Sequence, residues 1–200
     1  SPIAKEAYRV LTERGLLVKT EHAREVPFEG LAKMPFTTGN DAELLIDGEA
    51  TFASIFAGFE KASEYILVQF FIFRDDRIGR EFQERLLERV RAGVRVYLLY
   101  DEIGSYGLPK SYVKRMREGG INVHSFGIGR SANRLQINFR NHRKIVVVDG
   151  RYAWVGGLNV GDEYLGRDPK IGYWRDTHLR VEGPVVLAVQ AAFMEDWHWA

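Results

Sequence analysis

The apolar residues of this chain change their spacing along its length, and the change predicts an alternation of helices and strands. Phe52, Ile55, Phe56 and Phe59 recur at helical spacing. The run YILVQFFIF (65–73) has the length and composition of a buried strand. From residue 41 onward the pattern predicts, in order, strand 43–47, helix 50–62, strand 65–73, helix 79–92, strand 94–100, helix 109–118 and strand 121–126. Strands that alternate with helices of about 10 to 15 residues favour βαβ units and a sheet covered by helices.

The last third of the chain has a different order of elements. Between residues 137 and 157 two strands follow each other with only Asp149 and Gly150 between them. Asp-Gly between two strands is typical of a two-residue hairpin turn. A strand over 174–181 and a helix over 184–199 complete the pattern. Because a hairpin follows the βαβ units, the predicted sheet is mixed.

The predicted elements divide the chain into two parts. Residues 1–40 hold a short amphipathic segment and a connection punctuated by Pro and Gly, so we expect an N-terminal helix and linker there. Residues 41–200 are long enough for one domain with its own core. For this domain we expect the α/β class, with a mixed β-sheet flanked by helices.

Composition narrows the classes of function. The 28 Lys and Arg residues nearly balance the 27 Asp and Glu residues, and the net charge of +1 gives no overall attraction to nucleic acid. The chain has no Cys, which excludes disulfides, thiolate metal sites and a Cys nucleophile. No stretch approaches the roughly 18 uncharged apolar residues of a spanning helix, so we expect this segment itself to be soluble.

The stretch NHRKIVVVDG (141–150) carries the candidate chemistry. In a strand, residues two apart share a face, so His142 and Lys144 point the same way while Asp149 points to the other side. Asp149 therefore reads mainly as an anchor of the turn. A two-residue turn would pair Val148 with Arg151, and further along the same hairpin it would set His142 opposite Gly157.

The same register predicts the surroundings of the imidazole. Gly156 and Gly157 would leave open space beside His142, with Lys144 and Asn159 at its sides. An imidazole nucleophile between a cation and an amide donor suits attack on an anionic phosphoryl group, because the two donors neutralise the charge that develops on the oxygens. This scheme needs no metal ion and no cofactor. A His beside basic residues on an edge strand is most often only solvated, so the pair alone does not identify a site.

A longer pattern resembles a known family. The spacing His142-x-Lys144-x4-Asp149-x6-Gly156-Gly157-x-Asn159 resembles the HKD motif of the phospholipase D superfamily, with Gly157 where Ser is usual. Among the relatives, bacterial cardiolipin synthases are the most similar, and segments 100–105 and 174–184 add to the likeness. The resemblance covers roughly residues 40 to 200 and corresponds to the first of two HKD halves.

The resemblance implies a mechanism and roles for the motif residues. In the family, one motif His forms a phosphohistidine, and a second protonates the leaving alcohol and deprotonates the incoming one. A cardiolipin synthase moves a phosphatidyl group between two phosphatidylglycerols and releases glycerol. His142 would be the nucleophile or the acid/base, Lys144 and Asn159 would bind phosphate oxygens, and Asp176 would hold the imidazole through its other nitrogen.

Two further residues and the partners follow from the same resemblance. Gly157 and Arg140 would lie on the substrate side of the site, with Arg140 a candidate for lipid phosphate. The expected partners are phosphatidylglycerol or a related anionic phospholipid, a membrane surface and a second HKD half, with no nucleic acid. By resemblance the protein is associated with the cytoplasmic membrane of a bacterium, that is, its inner membrane.

The second motif is missing from this sequence. Of five His residues, only His142 is followed by Lys at the second position. A mechanism with two His residues therefore needs a second half, either in a longer chain, which we favour, or in a second copy. Two other functions stay open at this stage: hydrolysis of phosphodiesters by a phospholipase D or a nuclease, and a non-catalytic lipid- or protein-binding domain of the same fold.

Overall fold

The computed structural model describes residues 1–18, 34–127 and 141–200. Within these ranges the chain forms five α-helices and seven β-strands. In chain order they are α1 (Pro2–Glu13), β1 (Asp41–Ile46), α2 (Asp47–Lys61), β2 (Tyr65–Phe70), α3 (Arg77–Arg91), β3 (Arg95–Asp101), α4 (Lys110–Glu118), β4 (Asn122–Phe126), β5 (Ile145–Val148), β6 (Tyr152–Gly156), β7 (Thr177–Glu182) and α5 (Val185–Trp199). No helix in the described ranges is both long and apolar enough to cross a membrane.

Polar residues at helix starts explain where the helices begin. The side chain of Asp76 accepts a hydrogen bond from the backbone N–H of Gly79 at 3.0 Å and so caps α3. Helix α2 begins at Asp47, three residues before the predicted start at residue 50. Asp47 and Glu49 lie in its first turn, where negative charge favours a helix.

The seven strands form one sheet in the order β1-β7-β6-β5-β2-β3-β4. Strands β2, β3 and β4 are parallel, and all other neighbours are antiparallel. The predicted α/β class with a mixed sheet flanked by helices is confirmed. Because of these directions, the carboxyl ends of β2, β3 and β6 meet the amino ends of β5 and β7 at one edge of the sheet.

Both faces of the sheet are covered. On one face Phe82 of α3 lies among five other Phe rings, at centroid distances of 5.2 to 6.4 Å. On the other face α5 buries Phe193 against Leu67 and Val147, and α1, with Leu11 buried, lies beside α5. The sheet therefore gives the residues at its edge a support that is packed on both faces.

The predicted strand at the motif is shorter than expected. Strand β5 begins at Ile145, so His142 and Lys144 lie in an extended segment outside the hydrogen-bonded ladder. Part of the predicted strand, from 137 to 140, lies outside the described residues. Strand β2 ends at Phe70 rather than at residue 73, because the backbone beyond it turns to bond with the segment after β6: the N–H of Arg74 donates to the carbonyl of Val160.

The predicted hairpin register was wrong by one residue. Val148 pairs with Tyr152 and not with Arg151. The reason is that Arg151 belongs to the turn, where its N–H donates to the Val148 carbonyl at 2.9 Å. Asp149 and Gly150 both adopt the left-handed conformation, with φ of 52° and 63°. The connection thus has three residues, and every side chain of β6 is displaced by one position relative to the prediction.

Candidate active site

The predicted site residues gather at one edge of the sheet. His142 and Lys144 precede β5, Asn159 follows β6, and Asp176 directly precedes β7. Because β6 is antiparallel to both of its neighbours, these three segments meet at the same edge. Arg140 lies outside the described residues.

His142 and Lys144 are in direct contact. The Lys144 Nζ lies 2.8 Å from His142 Nδ1 and donates to the His142 carbonyl at 2.7 Å. The Phe71 ring packs against both, with its centroid 4.7 Å from the imidazole centroid and 5.6 Å from the Lys144 Nζ. A contact between an ammonium and an imidazole nitrogen requires that nitrogen to accept, so this geometry fits a neutral ring.

The electrostatics of the pair agree with that geometry. Partial burial lowers the pKa of His142 from its usual value, the Lys144 charge lowers it further, and Asp101 opposes the change. Burial also lowers the pKa of Lys144 to about 8, although the charge of Asp176 opposes that shift. At neutral pH the site therefore holds an uncharged imidazole beside a largely protonated ammonium group.

Asn159 is buried and held by bonds at both ends of its amide. Its Oδ1 accepts from the N–H of Ile72 at 3.0 Å, and its Nδ2 donates to the Tyr164 hydroxyl at 3.1 Å. These bonds fix the amide beside the carboxyl end of β2. An amide nitrogen carries two N–H groups, and only one of those of Asn159 has a partner among the described residues.

The two glycines at the end of β6 do not leave the predicted gap beside His142. A Cβ on Gly157 would come within 2.1 Å of Asp176 Oδ1, and a Cβ on Gly156 would come within 2.5 Å of the His178 ring. The prediction was wrong because Gly156 pairs with His178 of β7, and Gly157 lies against Asp176, which directly precedes β7. Because the glycines have no side chains, Asp176 and His178 can lie close to the edge of the sheet that carries the site.

Asp176 is held by its own neighbours. Its Oδ1 accepts from the backbone N–H of Thr177 at 2.7 Å, and its Oδ2 accepts from Trp174 Nε1 at 3.3 Å. No hydrogen bond joins Asp176 to His142 in the part of the chain that the structure describes. Its charge acts on Lys144 and on His178 instead, and its orienting role toward His142 stays a prediction.

His178 is an additional imidazole behind the site. It is 1% exposed, and neither ring nitrogen has a hydrogen-bond partner among the described residues. Burial lowers the pKa of His178 to about 4, while the charge of Asp176 opposes that shift. The ring is therefore neutral at physiological pH. Asp176 and His178 are two residues apart, and this spacing is the feature of the sequence that predicts a shared strand face for them.

Asp149 lies away from this cluster and closes the hairpin onto β2. Its carboxylate accepts from the backbone N–H groups of Ser63, Glu64 and Tyr65 and from the Ser63 hydroxyl, at 2.8 to 2.9 Å. Burial would raise the pKa of Asp149, but these donors lower it overall. Asp149, although part of the motif, thus ties the turn after β5 to the start of β2.

Sequence reasoning missed the residues that support the His142 segment. Phe71 was read only as part of a buried strand, yet it forms the wall of the site. Its carbonyl accepts from Ser105 Oγ at 3.2 Å. The loop that carries Ser105 is capped by Asp101, which accepts from the N–H groups of Ile103 and Gly104 at 2.9 and 2.8 Å. The only signal was the likeness of segment 100–105 to the family.

The arrangement places a neutral imidazole near two groups that can stabilise negative charge. A neutral imidazole, an ammonium and an amide N–H suit the attack on a phosphodiester and the stabilisation of its equatorial oxygens. Across the described residues, no group of three or more His, Asp or Glu side chains could hold a metal ion.

The chain is similar to known proteins in sequence and in fold. A family model described as "Cardiolipin synthase, PLD-like domain" matches residues 55–197. Cardiolipin synthase A from Pseudomonas putida (strain GB-1) is 52% identical over 171 residues, which make up 85% of this chain and 36% of that protein. The chain thus spans about a third of the length of this relative.

Solved structures agree on the fold. NucT from Helicobacter pylori superposes with a TM-score of 0.59 at 14% identity, over 80% of this chain and 97% of that chain. Nuc from Salmonella typhimurium, a phospholipase D family member, superposes with a TM-score of 0.58 at 14% identity, over 80% of this chain and 95% of that chain. The expected phospholipase D-like fold is confirmed.

Proposed function

Because the chain belongs to the cardiolipin synthase family of phospholipase D-like domains, we propose that it carries one half of a phosphatidyl-transfer site with His142 as the nucleophile. The family membership predicted from the His142 motif is confirmed. The observation that carries the proposal is the contact between the neutral His142 ring and the buried Lys144 ammonium group. Lys144 Nζ lies 2.8 Å from His142 Nδ1, at the edge of the sheet where Asn159 and Asp176 also lie.

In the first step, a ring nitrogen of His142 attacks the phosphorus of phosphatidylglycerol. A nitrogen–phosphorus bond forms while the bond to the glycerol head group breaks, and a proton from a second motif His converts the leaving alkoxide to glycerol. The lowered pKa of His142 keeps the ring unprotonated. The ring electron pair that accepts from Lys144 becomes free for attack when that ammonium group binds the phosphoryl oxygens instead. Lys144 and the remaining N–H of Asn159 stabilise the charge on the phosphoryl oxygens.

In the second step, a hydroxyl of another phosphatidylglycerol attacks the phosphohistidine. The second motif His accepts the proton of that hydroxyl, the nitrogen–phosphorus bond breaks, and His142 returns to its neutral state with cardiolipin released. Water in place of the lipid hydroxyl would give phosphatidic acid. The same residues would thus catalyse transfer when the acceptor is a lipid hydroxyl and hydrolysis when the acceptor is water.

The proposal requires two partners. One is an anionic phospholipid at a membrane surface, which by family would be the bacterial inner membrane. The other is a second HKD half, because His142 is the only HxK histidine of this sequence. We propose that this half follows in a longer chain, since the chain spans 36% of the cardiolipin synthase A relative.

The proposal is tested by incubating that longer protein with phosphatidylglycerol vesicles and comparing wild type with His142→Ala. Cardiolipin and glycerol in equal amounts, absent in the variant, support transfer. Phosphatidic acid as the main product would make the protein a hydrolase, and no turnover of either kind would make it a binding domain. The 200-residue chain alone is expected to give little product, and robust synthesis by it as a monomer would contradict the need for a second half.

A further inference from the structure

The segment that carries His142 and Lys144 is tied to the last turn of α5. The Arg143 guanidinium donates to both carboxylate oxygens of Asp196 at 2.6 Å. Asp196 also accepts from Gln69 Nε2 of β2 at 2.8 Å. Asp196 and Gln69 are buried, whereas about half of the Arg143 side chain is exposed. Both contacts come from one guanidinium nitrogen, Nη1, and a charge-assisted bond of this kind to a buried carboxylate is stronger than a bond between neutral groups.

Strand parity explains why Arg143 can reach α5. Val146 and Val148 pack into the core beneath α2 and α3, whereas Ile145 and Val147 pack toward α5. Continued through the motif, this alternation sends Lys144 toward the site and Arg143 to the opposite face. Arg143 thus holds the segment from the opposite face of the sheet, while His142 and Lys144 point toward the site.

The anchor at the α5 end is itself rigid. Trp197, next to Asp196, packs on the His124 ring at 4.4 Å and on the Tyr97 ring at 5.5 Å. Phe193, one turn earlier, is fully buried. The Asp196 carboxylate is therefore held against the sheet by its own helix and by Gln69.

The motif segment needs such an anchor because it lies outside the ladder. Residues 141–144 precede β5 and have no strand partner among the described residues. Apart from local bonds to Asn141 and His142, the Arg143–Asp196 pair is the polar contact that joins this segment to the rest of the described residues. A segment that must place an imidazole within bonding distance of phosphorus loses rate steeply when it shifts.

We propose that Arg143 and Asp196 are positioning residues that hold His142 and Lys144 in their reactive arrangement through the opposite face of the sheet. This inference rests on the proposed function for its kinetic consequence, although the placement of the ring can be measured without turnover. Both residues meet on the α5 face of the sheet, opposite the site, so both act through the motif segment.

The primary test is Asp196→Asn in the longer protein with phosphatidylglycerol vesicles. The substitution keeps the shape of Asp196, and Gln69 Oε1, which has no hydrogen-bond partner in the described part of the chain, can accept from the new amide. We expect kcat to fall by up to about 100-fold with KM nearly unchanged. Glu60→Gln is the matched control, because it breaks the Arg85–Glu60 pair between α2 and α3, away from the site.

Arg143→Gln is the second variant of the kinetic test. Its side chain is half-exposed, so the variant is expected to fold. If the pair acts as a unit, Arg143→Gln and Asp196→Asn each cause a similar loss of kcat and the double variant loses little more. Additive losses, or wild-type kcat in both single variants, would overturn the proposal.

A readout without turnover separates this inference from the proposed function. In the 200-residue chain, nitrogen-15 NMR follows the titration of the His142 ring. Asp196→Asn is expected to move the pKa of His142 up toward that of a solvated imidazole, because the displaced ring loses its partial burial and its contact with Lys144, while the His178 signals stay in place. An unchanged His142 titration would overturn the positioning role, whether or not the wild-type protein makes cardiolipin.

Discussion

The Asp176 carboxylate occupies the space that a side chain on Gly157 would need. A Cβ there would lie 2.1 Å from Asp176 Oδ1, well inside van der Waals contact. Asp176 cannot easily move aside, because Thr177 and Trp174 hold its two oxygens. Glycine at this motif position therefore admits a carboxylate to the edge of the sheet.

We predict that Gly157→Ala destabilises the fold by about 1–3 kcal/mol, because the methyl group overpacks against Asp176. Removing the obstacle with Asp176→Ala in the same chain should restore much of that free energy of unfolding. Urea denaturation of both variants measures the effect. Gly107→Ala is the control, since its Cβ would meet only the end of Arg74 at 3.8 Å. Equal stability of Gly157→Ala and wild type would refute the close packing.

The pKa values of His142 and Lys144 predict a bell-shaped pH profile for kcat/KM. The acid limb should lie below the usual imidazole value of 6.5, because the pKa of His142 is lowered and the nucleophile is lost only when it protonates. The alkaline limb should lie near pH 8, where Lys144 loses its charge in the free protein. In Lys144→Arg the limb near pH 8 should disappear, since a guanidinium does not deprotonate. The alkaline limb that remains should be that of the second motif His, which must carry the proton that it donates. A limb that persists near pH 8 in Lys144→Arg would assign it to another group.

Asp149 should matter for stability and not for chemistry. Asp149→Ala leaves three backbone N–H groups and the Ser63 hydroxyl without their acceptor, at a cost of about 1–3 kcal/mol. Asp149→Asn should cost less, because it keeps one oxygen and tolerates the left-handed backbone at this position. Chemical denaturation gives the stability, and kcat per folded molecule should stay at the wild-type value. A large loss of kcat at unchanged stability would instead place Asp149 in the reaction.

His178 should make the fold sensitive to acid. The unfolded chain protonates this residue near 6.5, whereas the native protein resists protonation until about pH 4. Between these values the unfolded state binds the extra proton, so the free energy of unfolding falls as the pH falls, by roughly 3 kcal/mol in total. His178→Leu should remove this component from the pH dependence of the denaturation midpoint. The exposed His198, changed to Gln, should leave it intact; identical slopes in wild type and His178→Leu would contradict the account.

The fold was largely predictable because its elements have clear periodicity. The Phe spacing of α2, the apolar run of β2 and the alternation of strands and helices defined the class before any contact was known. The failures came from the turn after β5. Asp149-Gly150 predicted a two-residue connection, but the third turn residue, Arg151, shifted the register by one. In a structure with a period of two, this shift changed what the glycines face.

The site was predictable as a set of residues but not as an arrangement. The motif spacing brought His142, Lys144 and Asn159 to one edge, yet it could not show that Lys144 contacts the imidazole directly. Contacts between distant parts of the chain left little trace in the sequence. Arg143 and Asp196 are 53 residues apart, and only strand parity hinted that Arg143 faces away from its neighbours.

The central claim is that His142 carries the phosphatidyl group, and trapping the intermediate tests it most directly. The longer protein would be mixed with phosphatidylglycerol labelled at phosphorus, quenched within milliseconds in alkali and digested for mass spectrometry. We expect label on the peptide that contains His142, none in His142→Ala, and transfer of the label to cardiolipin when unlabelled phosphatidylglycerol is added. Cardiolipin formed at full rate without label on His142 would contradict it.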